Sequence, residues 1–194
     1  CSPHITQFFC MAIHAMSMSH WQLAADNFHY AAEVAVSDRN RVKQNYALLG
    51  KAWCSFLCGR VAVANNALEN VVNFAASESY IPLHVWALEL EILMKTFTKD
   101  FEGAEEAQRL IRTLQRRGGT TSDAVFRKEH FSASTSAILA FSMSSNQQYE
   151  KASALAVYSC THLSSPNRQQ GFALGGLYLF CAIYALIECA LFKS

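Results

Sequence analysis

Proline and glycine are scarce in this chain, at 3 and 8 of 194 residues. An all-β sandwich needs many tight turns and so more of both, which leaves long helices with short connections as the expectation. Charge is scarce too: Lys, Arg, Asp and Glu make up 16%, against about 25% in an ordinary soluble domain. Apolar residues reach 52%, so much of the surface must sit in a large core or under another element. The formal net charge is +1, and no overall field draws the chain toward nucleic acid or an anionic membrane. Also missing are a Gly-rich phosphate loop, a nucleophile elbow, a His-x-x-x-His tandem and a carboxylate pair in a recognisable setting. No catalytic residue, cofactor or metal site is therefore assigned, and the chain is expected not to be an enzyme. A basic n-region followed by an apolar run is absent from the N-terminus. The expected setting is intracellular, cytoplasmic or nuclear, and the chain is expected to be a piece of a longer protein.

The seven cysteines (Cys1, Cys10, Cys54, Cys58, Cys160, Cys181, Cys189) are odd in number and mostly lie within apolar helical patterns. Free thiols there behave as small hydrophobes, which points to a reducing compartment. Cys54 and Cys58 stand one helical turn apart, but structural zinc wants four ligands and no others stand near in sequence. Core thiols are the reading.

What is present is an internal repeat. Four times a large apolar residue stands three places before an alanine: Trp21 and Ala24, Val61 and Ala64, Phe101 and Ala104, Tyr149 and Ala152. The alanines are spaced by 40, 40 and 48 residues. Four and seven places on come Phe28 and Ala31, Leu68 and Val71, Gln108 and Ile111, Ala156 and Ser159, a helical face of mostly apolar or small residues. A small residue lets two backbones approach, and the bulky neighbour fills the space beside it. The pattern predicts helix pairs over about 4–37, 40–77, 82–117 and 122–163. First helices are expected at 4–17, 40–57, 82–98 and 122–144, and second helices at 19–37, 60–77, 101–117 and 147–163. Pro82 suits a first helical turn, Gly59 a break, Ser122 or Asp123 an N-cap after Gly118-Gly119, and Ser164-Ser165-Pro166 a stop.

On these residues the chain resembles a tetratricopeptide-repeat array. Tyr46, Leu49-Gly50 and Trp53 are similar to the aromatic–Leu-Gly–aromatic pattern of that family's first helix. Ala24, Phe28 and Ala31 match the Ala–Phe–Ala pattern of its second helix. The likeness covers about 4–163, with a period longer than the family's roughly 34 residues, and HEAT-type or other helical repeats stay open. It implies an all-α fold: a right-handed α-α superhelix of four to five antiparallel helix pairs, forming one domain over 1–194.

The resemblance also implies a concave face lined by the first helices. Carried over, its positions fall on Thr6, Phe9 and Ile13, on Gln44, Ala47, Lys51 and Cys54, and on Trp86 and Glu89. Only Lys51 suits the family's carboxylate clamp, so the groove is expected to take a hydrophobic or amphipathic segment of a protein partner within a hetero-complex. Phe9, Ile13 and Trp86 would anchor it, with Lys51 and Glu89 orienting it through charge and Gln44 a further contact position. Arg109, Arg112 and Arg116 share one helix face and form either a contact for an acidic partner or phosphate, or a solvated face near the helix C-terminus. Aromatics are not interleaved there, so direct nucleic-acid binding is not expected. The serines of 132–145 read as small residues for close helix packing, with a phosphorylation target as the alternative.

The stretch Gly171–Phe192 is apolar apart from Glu188. Leu174-Gly175 echoes Leu49-Gly50, which makes 167–194 the first helix of a further pair, with a second face left to be covered. A membrane span is the alternative, with Glu188 costly in the bilayer. The reading is thus an interaction scaffold, with a membrane-attached regulatory domain or an unrecognised enzyme as the other classes.

Overall fold

The computed structural model describes residues 3–118, 128–163 and 172–192. Among them lie nine helices and no strand: α1 Pro3–Ser17, α2 Trp21–Ser37, α3 Arg41–Leu57, α4 Val61–Ser77, α5 Ile81–Phe97, α6 Phe101–Gly118, α7 Lys128–Ser145, α8 Tyr149–Leu163 and α9 Phe172–Phe192. The expected spans agree to within two residues wherever both ends are described. The proposed caps at Ser122 or Asp123, the stop at 164–166 and the start of the seventh helix before Lys128 lie outside the described residues.

Helices α2 to α5 have 17 residues each, and starts fall at 21, 41, 61, 81 and 101. One connection is used six times. The residues Ser19, Arg39, Gly59, Ser79, Lys99 and Gln147 have φ between 52° and 74°, in the left-handed region. The N–H of the next residue donates to the carbonyl five places back: His20 to Ala15, Asn40 to Ala35, Arg60 to Ser55, Tyr80 to Ala75, Asp100 to Lys95 and Gln148 to Met143, at 2.8–2.9 Å. The left-handed residue itself donates to the carbonyl three places back. These are Schellman turns, which satisfy carbonyls a helix end would otherwise leave bare. The closing residue then starts the next helix, since the carbonyls of His20, Asn40, Arg60, Tyr80, Asp100 and Gln148 accept from the residue four places on. A connection this short reverses the chain, so neighbours in sequence pack antiparallel.

Two of the starts carry a side-chain cap. Asn40 accepts from the Lys43 N–H at 3.0 Å and Asp100 Oδ1 from the Gly103 N–H at 3.0 Å. His20 and Arg60 supply none. The signature alanines Ala24, Ala64, Ala104 and Ala152 sit at the fourth position of α2, α4, α6 and α8, and all are 0% exposed.

The chain forms two compact units, Cys1–Ala87 and Leu88–Ser194, with the boundary inside α5. In the first, α1 packs on α2, α2 on α3 and α3 on α4. Its core is rich in small residues: Ala12, Ala15, Ala24, Ala25, Phe28 and Cys54 form one cluster, and Ala31, Ala32 and Ala47 another. In the second unit, α7 packs on α6, α8 and α9, and α8 also packs on α9. There Ala140, Ala156 and Ala185 meet, as do Met143, Ala152 and Cys189. Ser142 and Ser144 of α7 are buried among these contacts, where a larger side chain would hold the helices apart. Each unit shows the neighbour-on-neighbour stacking of an all-α helical repeat.

Candidate functional site

The inner-face residues do not share one environment. In the first unit, the Phe9 ring is half-buried and edge-on to Phe28, with centroids 5.8 Å apart. Ile13 is 45% exposed. Gln44 and Lys51 are half-buried, and Lys51 Nζ lies 3.4 Å from His29 Nδ1. Thr6 faces solvent, and Ala47 and Cys54 are core. Trp86 packs edge-on against Tyr46 at 5.6 Å, and Tyr46 meets Tyr80 through an edge contact and a 3.4 Å hydroxyl pair. Burial, with that hydroxyl contact, pushes the Tyr46 phenol well above its usual range. Tyr46 and Trp86 stand one 40-residue repeat apart. Tyr80 was not among the sequence candidates, although its place in the turn before α5 could have marked it.

Glu89 corrects the expectation of a groove-facing carboxylate. It is 2% exposed in the second unit. Its Oε1 accepts from Thr135 Oγ1 at 2.6 Å and its Oε2 from the Tyr178 hydroxyl at 2.9 Å. A buried carboxylate is tolerable only with such donors. Burial first, then the adjacent carboxylate, drives the Tyr178 phenol well above its ordinary value. Glu89 therefore ties α5 to α7 and α9 instead of meeting a partner.

The Arg109–Arg112 face borders a cleft of about 370 Å³ in the second unit. α6 supplies Glu105, Gln108, Arg109 and Arg112, while the start of α8 supplies Gln148 and Lys151. Both arginines are exposed. The side chain of Arg116 lies outside the described residues.

α9 has an unusual division of its faces. Cys181, Ala182, Ala185 and Cys189 are buried, the last two in the clusters shared with α7 and α8. Leu186 packs against the Ala140 cluster, but four large residues point out: Phe180 at 56%, Ile183 at 45%, Ile187 at 54% and Leu191 at 65% exposed. A surface helix of a self-sufficient domain does the reverse. Among the described residues, no helix is long and apolar enough to cross a membrane. Leu174 and Gly175 have no described side-chain placement, so their echo of Leu49-Gly50 lies outside the described residues.

Cys10, Cys54, Cys58, Cys160, Cys181 and Cys189 are free thiols. Burial raises the Cys54 and Cys181 thiols to about 12 each. Among the described residues, no three His, Cys, Asp or Glu side chains gather where a metal ion could sit.

The fold thus defines a class, the all-α helical repeat. No family model matches the chain, and no curated protein or solved structure matches it either. The tetratricopeptide likeness rests on the residues quoted above.

Proposed function

We propose that the chain is a protein-interaction module in which α9 seats an amphipathic helix of a partner protein within a hetero-complex. The observation that carries this is the outward stripe of Phe180, Ile183, Ile187 and Leu191. Their spacing of three, four and four residues is the ridge one helix offers another. Contiguous apolar surface of this kind marks interaction sites. The repeat order indicates the occupant: α1, α3 and α7 are each packed against the helix that follows them, and the equivalent place beside α9 suits a helix. Burying each of these side chains contributes about 1.5–3 kcal/mol before the entropy of association is subtracted.

The tetratricopeptide likeness supports the same reading, with binding in place of catalysis. The six free thiols among the described residues support an intracellular setting. A photo-crosslinking residue at position 187 of the full chain should trap an amphipathic helical segment of another protein. Ile183→Asp should abolish the trapping while helicity by circular dichroism is unchanged. Crosslinks only to a second copy of the chain, to lipid, or to nothing would overturn the proposal.

A further inference from the structure

The cleft beside α6 holds a combination of groups that the chain itself does not use. Arg109 and Arg112 stand three residues apart on α6, and Lys151 reaches the same cleft from the first turn of α8. None of the three makes an ion pair among the described residues. Arg109 gives only its Nε–H, at 3.4 Å, to the Glu105 carbonyl oxygen. The single carboxylate in the lining, Glu105, accepts from Gln148 Nε2 at 3.3 Å. Three cations against one carboxylate leave the lining with an excess of two positive charges.

Gln108, 5% exposed, also lines the cleft, and a side-chain amide there can donate to an anion. The carbonyls at the end of α7, which would oppose an anion, are already taken: Ser142, Met143 and Ser144 accept from Asn146, Gln148 and Gln147. The α8 N-terminus adds the positive end of a helix dipole on the same side.

We infer that this cleft binds a phosphate monoester. A planar carboxylate is saturated by one arginine fork. Two guanidinium groups, an ammonium and an amide arriving from α6 and α8 instead fit a tetrahedral group with several acceptor oxygens. A phosphate monoester carries about −1.5 to −2 charge at pH 7, which matches the excess in the lining. The volume also leaves room for the carbon that bears the ester, so the phosphate could come from a phosphorylated side chain or from a small soluble ester. The inference stands apart from the α9 face, on different residues.

The test is an NMR titration of the ¹⁵N-labelled full chain, following arginine Nε–H signals and the amides of 105–112 and 148–151. The probes are O-phosphoserine, inorganic phosphate, and serine with sodium chloride at matched ionic strength. Phosphate-bearing probes should give saturable shifts in these signals, and serine with chloride should not. Arg112→Gln should weaken binding by about tenfold or more, and Gln108→Leu by several-fold, with the remaining spectrum unchanged. Shifts that follow ionic strength alone, affinity indifferent to Arg112→Gln, or equal binding of a glutamate-bearing peptide would each overturn the inference. A capped phosphoserine peptide that binds at least about tenfold tighter than free phosphate assigns the site to a phosphorylated segment. Equal affinity assigns it to a small ester.

Discussion

The ring of Phe28 lies directly against the Cα of Gly50. A methyl group on Gly50 would come within 2.7–2.8 Å of three different ring positions, closer than real side-chain contacts allow. The glycine of α3 leaves the space that the phenylalanine of α2 fills, beside the contact of Ala31 and Ala32 with Ala47.

Gly50→Ala should therefore destabilise the protein, against the helix-propensity trend. Alanine gains about 1 kcal/mol over glycine within a helix, while overpacking costs about 1–3 kcal/mol. A net loss of about 1 kcal/mol is expected in urea unfolding, with Phe28→Leu in the same chain recovering part of it. A Gly50→Ala protein as stable as the parent or more so would mean that the Phe28 ring moves aside freely.

The six turns give the opposite kind of prediction. Ser79 and Lys99 hold φ of 52° and 63°, where a side chain costs about 1–2 kcal/mol and glycine almost nothing. Ser79→Gly and Lys99→Gly should each stabilise by about 0.5–1 kcal/mol, the gain being trimmed by glycine's freedom in the unfolded chain. Gly59→Ala should lose about 1 kcal/mol for the same reason. Midpoints of thermal unfolding at one pH measure all three, and a fall in both glycine variants would sink the argument.

Alkaline pH should weaken the fold. The Cys54 and Cys181 thiols are raised from 9.0 to about 12 by burial, so the folded state holds their protons more tightly than the unfolded state does. Stability from this source is complete below pH 9 and is lost as pH rises from there toward 12. Tyr178, raised above 10 by burial and by Glu89, extends the loss beyond pH 10. Each such group contributes a slope of about 1.4 kcal/mol per pH unit between its two values. Unfolding measured from pH 7 to 11 should stay flat to about 9 and then fall. Cys181→Ala should reduce the steepness, and an unaltered slope would show that this thiol is solvated.

The helices were legible in the sequence because one small residue recurs at a fixed depth in each second helix. Ala24, Ala64, Ala104 and Ala152 anchored the register, and all four are fully buried. The turns were not legible. Only Gly59 advertises a left-handed residue, whereas Ser19, Arg39, Ser79, Lys99 and Gln147 hide it. Glu89 misled for a different reason. Its donors Thr135 and Tyr178 are 46 and 89 residues away, and no local pattern announces such a long-range pairing. Arg109 and Arg112 were visible as a face. Their cleft was not, since Lys151 and Gln148 arrive from α8. In α9 the hydropathy was plain, but it could not say that Cys181, Ala182, Ala185 and Cys189 would face inward and Phe180, Ile183, Ile187 and Leu191 outward.

The recurring turn has a consequence for how such a chain can grow or shrink. Each residue added to or lost from one helix rotates everything beyond it by about 100°, carrying a buried alanine off its seat. A lone helix with its turn, about 20 residues, would keep the faces in place but reverse the direction of all that follows. Only the loss or gain of a full 40-residue pair preserves both. Length variation among descendants of such a sequence should therefore come in that quantum, with smaller changes confined to stretches that obey a different spacing. The 48-residue step between Ala104 and Ala152 is where this chain has already departed from it.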